Sequence, residues 1–520
     1  MFSEIRHSFA LLRAGRTLAA YDALMTPEQI SQLPWAARLG LSVAKFGTRK
    51  TQKDGENAVA AALSSLGPSY IKLGQFLATR PDLVGPHRAF ELKALQDRLP
   101  PFPTPTAKQI VRDNLGAPVD VLFTEFGPPV AAASIAQVHK ARSQDGRELA
   151  VKVLRPGVGK RFAADLGSFY FAARLMERFS AEGRRLRPVA AVNMLEQSMK
   201  QELDLRMEAA ALSEMAQNTR DDPGFRVPKV DWERTSRDVL TTEWIDGTPI
   251  ADVAALRAQG FDLVKLGDTV VQSFLRHAIR DGFFHADMHQ GNLFVDRTGN
   301  LVAVDFGIVG RLGPKESMFL AEILYGFITR DYLRVSQVHF EAGYVPRHHD
   351  PAVFAQAIRS IGEPIMDRPA NQISMARLLT QLFEITAQFD MQTQPQLLLL
   401  QKTMVVVEGV ARTLNPDLNM WVTAEPVVGS WIKRQLGPAG KLEEAAGSLG
   451  QLLTSFPGML EDARRATSML SDMAATGGLR LDRETTEQLA LSQSHHTRWT
   501  RIWLALGAIS LAAIAIKLVT

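Results

Sequence analysis

The sequence has 520 residues, enough for two or more domains with a large core. Its formal net charge of +4 is small for that length and no motif combines basic with aromatic residues, so a nucleic-acid partner is not expected. Cysteine is absent, which excludes disulfides, thiolate metal sites and a cysteine nucleophile. Arg6, Arg13 and Arg16 interrupt the apolar N-terminus, which therefore predicts a basic amphipathic helix instead of a secretory signal.

The first hundred residues predict a helical extension. Pro68 suits a first helical turn and Pro81 a helix end, so one helix is expected between them. Within it Gly74 would permit the close approach of another backbone, and Lys72 and Gln75 are the polar residues that remain. A solvated helix with a packing glycine is the alternative interpretation of this segment.

Residues 101–250 predict a lobe rich in β-structure. The proline-rich stretch 100–118 marks its boundary, and alternating apolar residues then predict strands over 126–141 and 148–154. Lys152 lies inside the second apolar strand. An unpaired charge is costly there, which favours an ion-paired or functional lysine.

The turn between these strands is rich in alanine. Protein kinases carry a strand lysine in V-A-I-K behind a G-x-G-x-x-G phosphate loop, and Leu149–Lys152 is similar to that strand motif. The Cβ groups of the alanines would stiffen the loop and let its amides approach phosphate less freely, and an ordinary alanine-rich turn is the alternative interpretation. On this comparison the candidate nucleotide-binding residues are Ala131, Ala132, Ala133, Ser134, Ile135, Val138, Lys152 and Glu243.

Three acids follow on a stretch with helical periodicity. Glu202 and Asp204 would lie roughly 200° apart on one helix and could not easily share a partner, whereas Glu208 shares the side of Glu202. Solvated acids are the default interpretation. The alternative is that they serve two basic partners, Lys152 and Lys72.

The segment from Gly282 to Gly307 predicts a β-hairpin, with apolar runs at Leu293–Val295 and Leu301–Val304 around a polar turn. Carboxylates and a carboxamide at one end of this hairpin would suit Mg²⁺. Their spacing, H-x-D-x-x-x-x-N followed by D-F-G, is that of the kinase catalytic loop and metal motif. The residues concerned are His285, Asp287, Asn292 and Asp305.

The remaining chain predicts a helical lobe over 251–432 and an amphipathic connector over 433–498. An apolar run at Ile502–Val519 follows tryptophan and arginine residues, which predicts a single transmembrane anchor over 499–520. A buried terminal helix is the alternative.

Taken together and in this order, these residues resemble the UbiB/ADCK family of atypical protein-kinase-like proteins. The resemblance rests on the K-x-G-Q run at 72–75, the alanine-rich loop, Lys152, E-x-D at 202–204, and the H-x-D, Asn and D-F-G residues. It implies an α+β, protein-kinase-like two-lobe fold with an N-terminal helical extension and a C-terminal transmembrane helix. It further implies ATP and Mg²⁺ as cofactors and a role in ubiquinone biosynthesis.

The resemblance also implies roles and partners. Asp287, Lys152 and Lys72 would be catalytic, Asn292 and Asp305 would hold metal, and Lys152 would pair with Glu208. The helix of Lys72 would fold over the cleft near Glu202 and Asp204. The ion-pair or regulatory residues would be Gln75, Glu202, Asp204 and Glu208.

The expected setting is the bacterial inner membrane, with the main domain on the cytoplasmic side. Expected partners are membrane lipids and ubiquinone-biosynthesis proteins or quinone precursors. The phosphoryl acceptor and the oligomeric state stay open. Two other functions remain as alternatives: a nucleotide-regulated scaffold or lipid-handling protein without catalysis, and a small-molecule phosphotransferase of the aminoglycoside or choline type.

Overall fold

The computed structural model describes residues 2–21 and 57–435, apart from 79, 86–87, 89–90, 93–94, 96–98, 180–183, 185, 367–383, 387 and 392–394. The predicted membrane anchor at 499–520 and nearly all of the predicted connector at 433–498 lie outside these residues. Over the described ranges, every helix is too short or too polar to cross a bilayer.

Over the residues that the structure describes, the N-terminal extension is helical, as predicted. Asn57 caps the second helix by accepting hydrogen bonds from two backbone amides of its first turn. Pro81 does follow the end of the third helix, but it also begins a further short helix. The helices are α1 (Phe2–Ala20), α2 (Ala58–Leu66), α3 (Pro68–Ala78) and α4 (Pro81–Val84).

Gly74 has a different neighbour from the one predicted. A Cβ atom at this position would lie 2.3 Å from Cδ1 of Leu95 and 2.7 Å from Cδ1 of Leu63. The expected close approach of a backbone is therefore wrong, because two leucine side chains occupy that space. The glycine lets α3 settle into the core that α2 and α7 (Val158–Phe179) form with it.

A four-stranded antiparallel sheet forms the first lobe, in the order β1-β2-β3-β5. Its register places Val138 opposite Lys152, so the two side chains share one face. The strands are β1 (Phe123–Ala132), β2 (Ala136–Ser143), β3 (Glu148–Leu154) and β5 (Val239–Glu243), and the helices are α5 (Thr104–Leu115), α6 (Val119–Leu122), α7, α8 (Pro188–Glu202) and α9 (Leu205–Asn218).

The junction of α8 and α9 corrects the prediction of one continuous helix. Glu202 is the last residue of α8, and Asp204 is the N-cap of α9, where its side chain accepts from the backbone amide of Arg206. The Asp204 carboxylate also pairs with the Arg206 guanidinium at 2.6 Å. Glu202 and Asp204 therefore lie on different elements, and the helical angle predicted between them does not apply.

The second lobe carries the predicted hairpin, β8 (Leu293–Asp296) and β9 (Leu301–Ala303), which confirms the hairpin within one residue at each strand end. In its turn, Asp296 accepts hydrogen bonds from the backbone amides of Thr298 and Asn300, at 2.9 and 3.0 Å. β4 (Phe225–Arg226) and β6 (Gly247–Pro249) extend this sheet, and β7 (Phe283–His285) pairs with β10 (Val309–Arg311).

Helices surround these strands. A main hydrophobic core runs from the N-terminal helices through both lobes, and a separate cluster surrounds Tyr332, Val335 and Phe354. The helices are α10 (Val253–Ala258), α11 (Leu263–Arg276) with a π-helical turn at His277–Asp281, α12 (Pro314–Ile328), α13 (Tyr332–Glu341), α14 (Pro351–Met366), α15 (Pro395–Leu414) and α16 (Met420–Gln435).

Candidate active site

One lysine and two carboxylates meet where the lobes face each other. Lys152 comes from β3, Glu208 from the first turn of α9, and Asp305 from the segment after β9. The Nζ of Lys152 lies 2.9 and 2.8 Å from the two carboxylate oxygens of Glu208, and 3.0 Å from Oδ1 of Asp305. Glu208 is 7% exposed and Asp305 is 46% exposed. The lysine is therefore anchored by a buried carboxylate and shared with one that solvent reaches.

The charges of this cluster follow from burial and from pairing. Burial opposes the lysine charge, but the carboxylates of Asp305 and Glu208 outweigh it and hold the pKa of Lys152 above its usual range. Burial raises the pKa of Glu208 to about 7, against the opposing effect of Lys152. For Asp305, the charge of Lys152 outweighs the cost of desolvation, and the charge of Lys72 adds to it, so the pKa lies well below its usual range. The electrostatics of the cluster therefore favour the charged form of Asp305.

Asp305 has an uncommon backbone conformation. Its φ of 61° is in the left-handed region, which costs a non-glycine residue of order 1–3 kcal/mol. The next residue, Phe306, is buried, and its ring centroid is 4.5 Å from that of His285. The buried phenylalanine holds the turn, so the direction of the Asp305 side chain is set by the core.

His285 organises the loop that carries Asp287. Its Nδ1 accepts the backbone amide of Asp287 at 3.0 Å, so Nε2 carries the proton and donates to the carbonyl of Val304 at 3.1 Å. Burial lowers the pKa of His285, which agrees with this neutral tautomer. His285 therefore joins the loop to the segment after β9 through two hydrogen bonds. The carboxylate of Asp287 is partly exposed and lies 3.7 Å from Nε2 of His289.

Asn292 is fixed by the same loop. Its Nδ2 donates to the carbonyl of Asp287 at 3.1 Å, and its backbone carbonyl accepts from Val304 at 2.9 Å. With Nδ2 committed to the backbone, the side-chain oxygen Oδ1 remains as an acceptor. Oxygen donors from Asn292 and Asp305 are the ligands that Mg²⁺ prefers, so the residues present fit this ion.

The alanine-rich turn is tied from two sides. The backbone amide of Ala133 donates to the carbonyl of Ala136 at 2.8 Å, and the guanidinium of Arg155 donates to the carbonyl of Ala133 at 3.0 and 2.8 Å. Arg155 also bonds two carbonyls just before the first lobe. No residue of Ala131–Ser134 has a positive φ, so alanine fits this turn without strain. The amide of Ala133 is already used within the turn.

The other predicted nucleotide-binding residues separate into two groups. Val138 shares the sheet face of Lys152, and Ile135 is buried in the main core. Glu243 ends β5, and its carboxylate accepts from Arg226 at 3.0 Å. The side chain of Glu243 therefore serves an ion pair with Arg226, and its place in nucleotide binding stays a prediction.

The K-x-G-Q helix contributes a second buried ion pair. The Nζ of Lys72 lies 2.6 Å from Oε2 of Glu202, and both side chains are about one-tenth exposed, at 11% and 10%. The positive charge of Lys72 also helps to lower the pKa of Asp305. Gln75 is half-buried on the same helix.

Two supporting contacts were missed by sequence reasoning. The Thr403 hydroxyl on α15 donates to the carbonyl of Ala286, between His285 and Asp287, at 3.1 Å. Arg280, in the π-helical turn before β7, donates to both carboxylate oxygens of Asp222 at 2.5 and 3.2 Å. The partners are 117 and 58 residues apart, so no local spacing signals either contact.

Comparisons with known proteins agree with this geometry. Residues 94–339 match the ABC1 atypical kinase-like domain, and residues 358–419 match the UbiB helical domain. The chain is 42% identical to the probable protein kinase UbiB of Marinobacter nauticus over 85% of this chain and 81% of that protein. It is 42% identical to the Azotobacter vinelandii protein of the same name (85% and 84% covered) and 38% identical to that of Pseudomonas aeruginosa (94% and 89%).

This chain belongs to the UbiB family. A more distant match is the solved structure of Rv3197 with erythromycin from Mycobacterium tuberculosis, which is 24% identical in sequence. The match covers 73% of this chain and 94% of that chain, with a TM-score of 0.45. The recognised UbiB/ADCK resemblance is confirmed, and so is the kinase-like mixture of helices and strands. UbiB membership implies a role in ubiquinone biosynthesis, and a kinase-like domain implies the use of nucleotide and metal in general.

Proposed function

We propose that this chain is an atypical kinase-like ATPase or phosphotransferase that uses ATP and Mg²⁺ to support ubiquinone biosynthesis at a membrane. The observation that carries the proposal is the cluster of Lys152, Glu208 and Asp305, with an exposed carboxylate next to a lysine that a buried glutamate holds. A metal ion could bind the exposed carboxylate of Asp305, and a nucleotide phosphate could replace Asp305 as the second partner of Lys152, while Lys152 keeps its pair with Glu208.

In the proposed reaction the chain supplies positioning and charge. Lys152 would donate hydrogen bonds to the phosphates, held in direction by Glu208. Asp305 and the Oδ1 of Asn292 would hold Mg²⁺, which offsets the charge of the triphosphate when bound. Asp287 would accept the proton of the attacking hydroxyl or water. The oxygen of that hydroxyl or water would bond to the γ-phosphorus, and the bond between the γ-phosphorus and the β-phosphate oxygen would break.

The acceptor is inferred from the position of the K-x-G-Q helix. The buried Lys72–Glu202 pair would hold α3 over the region that a protein kinase leaves open for a peptide, and the influence of the Lys72 charge on Asp305 supports this position. A protein segment would have to displace this helix. We therefore favour water or a small lipid precursor over a protein as the acceptor.

The membrane setting is part of the same proposal. The apolar run at Ile502–Val519 would anchor the chain in the bacterial inner membrane, with the kinase-like domain on the cytoplasmic side and with membrane lipids and quinone-pathway proteins as partners. Removing residues 499–520 should move the protein to the soluble fraction. Persistence with membranes after a high-salt wash would assign the anchor to another segment.

One observation favours a second function, that of a nucleotide-regulated scaffold or lipid-handling protein. The amide of Ala133 is used within its own turn and its carbonyl is held by Arg155, so this turn offers less to a phosphate than a glycine loop does. Membership of the UbiB family disfavours the aminoglycoside or choline type of kinase.

Two measurements separate these functions. Steady-state ATP hydrolysis should be detectable with vesicles of anionic lipid, and should stop in Asp305→Asn. A thermal melt should show stabilisation by Mg²⁺ and ATP together in the wild type, and none in Asp305→Asn. Stabilisation without hydrolysis under any lipid or quinone-precursor condition would favour the scaffold, and an unchanged melt shift in Asp305→Asn would remove the site assignment.

A further inference from the structure

Two histidines and an aspartate converge on the helical part of the chain, away from the cluster of Lys152. His348 and His349 lie in the connection between α13 and α14, and Asp390 lies in the segment before α15. The Nε2 atoms of His349 and His348 are 3.1 and 3.6 Å from the same oxygen, Oδ2 of Asp390. All three ligand atoms lie within 4.8 Å of one another.

This spacing is that of ligands around one small ion. Zinc binds imidazole nitrogen and carboxylate oxygen at about 2.0–2.2 Å, so two tetrahedral ligands of one ion are roughly 3.3 Å apart. The observed distances of 3.1 and 3.6 Å lie on either side of that value. A hydrogen bond accounts for the contact of His349, but the distance to His348 is too long for one.

The two loops are positioned by a shared core. Phe389, immediately before Asp390, is buried, and its ring centroid is 4.8 Å from that of Phe354 on α14 and 5.2 Å from that of His349. The backbone amide of His349 also closes a turn onto the carbonyl of Pro346 at 3.2 Å. The ligands therefore sit on supports that are packed together.

Solvent reaches the cluster. The side chains of His348 and Asp390 are both 66% exposed, so an ion can enter and a water can complete its coordination. Within the described part of the chain, no lysine or arginine is within ion-pair distance of Asp390, and the two imidazoles are the groups that face its carboxylate.

We propose that His348, His349 and Asp390 bind one divalent transition-metal ion of the zinc class, with a water in the open position. Two imidazoles and one carboxylate are typical ligands for zinc and its neighbours and are unlike the all-oxygen ligands of Mg²⁺. The ion would link the connection before α14 to the segment before α15. It would thereby stabilise the start of the helical domain matched at 358–419.

The test uses the full-length protein after chelation and desalting. Co²⁺ should bind with one equivalent and give the visible absorption of a tetrahedral nitrogen and oxygen site, and Zn²⁺ should displace it and raise the thermal midpoint. Asp390→Asn and His349→Gln should each weaken Zn²⁺ binding by at least about tenfold, the lower bound for removing even a group that only supports a ligand. Without metal, the melt of Asp390→Asn should match that of the wild type, because the Asp390 side chain is mostly exposed. His349→Gln is compared with its own metal-free melt, because the His349 ring packs on Phe389.

A matched control is available in the chain. His495 and His496 form a second adjacent histidine pair, and substituting both with Gln removes two imidazoles without touching the proposed site. This variant should keep the wild-type affinity and absorption. The proposal is overturned if Asp390→Asn binds zinc as the wild type does, if the His495/His496 variant loses the bound ion, or if the wild type binds no Co²⁺ or Zn²⁺. None of these outcomes depends on ATP binding or turnover, so the site stands or fails separately from the proposed function.

Discussion

Two lysine–glutamate pairs meet at the junction of α8 and α9, and they differ in what else they touch. Lys72 and Glu202 form a short contact in which both side chains are nearly buried. Lys152 and Glu208 are equally close, but Lys152 is shared with the exposed carboxylate of Asp305. The difference shows that an ion pair can either hold a helix in place, as for α3, or orient a charged side chain toward a ligand, as for Lys152.

The two glutamates are six residues apart in sequence, yet the chain breaks between them. Glu202 closes α8, and Glu208 lies in the first turn of α9, which Asp204 caps. The break lets one glutamate face the N-terminal extension and the other the strand of Lys152. The first pair then fastens α3 and the second prepares the site, and the following substitutions test this division.

The largest effect is expected from Lys152→Met. Removing the lysine leaves Glu208 buried without its cation, which should cost about 3–5 kcal/mol of unfolding free energy. Loss of a preorganised donor to the phosphates should lower ATP turnover by at least about 100-fold. The measurements are steady-state hydrolysis and chemical denaturation.

A double substitution separates these two losses. Lys152→Met/Glu208→Leu replaces the buried pair by apolar groups and should recover most of the stability, because replacing both partners is often neutral. Its ATP turnover should stay as low as that of Lys152→Met. Wild-type turnover in either variant would contradict the role of Lys152.

Lys72→Ala should lower the unfolding free energy about as much as Lys152→Met does. It should raise, and not lower, the transfer of phosphate from ATP to the protein. Breaking the Lys72–Glu202 pair should cost about 3 kcal/mol and release α3. If that helix excludes protein segments from Asp305, incorporation of radiolabel from ATP into the protein itself should rise above wild type. Lys72→Ala/Asp305→Asn is the control, since it should release α3 to the same extent but transfer no phosphate from ATP.

The outcome of that experiment assigns Lys72. No more label than wild type, in a variant that still binds nucleotide, would defeat the idea that α3 occludes the site. Lys72 would then act directly in the reaction or serve only to hold the N-terminal extension.

The sequence predicts the parts of the site that depend on local spacing. The hairpin of β8 and β9 and the position of Lys152 inside a strand follow from apolar patterns a few residues long. The two basic partners of the acids, Lys72 and Lys152, are as predicted. The placement of Glu202 and Asp204 on one helix is wrong, because the helical periodicity does not continue through residue 203. Asp204 directly before the apolar Leu205 is a typical N-cap signal and could have located the break.

Other features are beyond local patterns. Arg155 holds the alanine turn and Thr403 holds the loop of Asp287, and both use backbone carbonyls far away in sequence. Backbone carbonyls are present at every residue, so the sequence does not distinguish the one that accepts. Only the packed fold selects these partners.

Gly74→Ala tests whether α3 can be displaced by adding side-chain volume, in contrast to the removal of a charge in Lys72→Ala. The new Cβ would overlap Leu95 and Leu63, and overpacking typically costs 1–3 kcal/mol, partly offset by the better helix propensity of alanine. We expect a net loss of about 1 kcal/mol and a smaller rise in labelling than in Lys72→Ala. Gly409→Ala is the matched control, since it lies within α15 with open space around it and should be neutral or stabilising. Equal melts for the two variants would show that Gly74 does not seat the helix.

Asp204→Ala should give the smallest effect, because Asp204 lies between the two glutamates in sequence but belongs to neither pair. It caps α9 and bonds Arg206, so its loss should cost about 1 kcal/mol, and Asp204→Ser should recover most of it. The hydrogen bond from Arg206 lowers the pKa of Asp204, so this stabilisation is full at neutral pH and fades as the pH falls below about 4. Denaturation at pH 7 and pH 3 should therefore show a gap between wild type and Asp204→Ala that narrows in acid, with no change in labelling from ATP. A rise in labelling like that of Lys72→Ala would instead show that Asp204 helps the Lys72–Glu202 pair to hold α3, and would contradict the division between the two pairs.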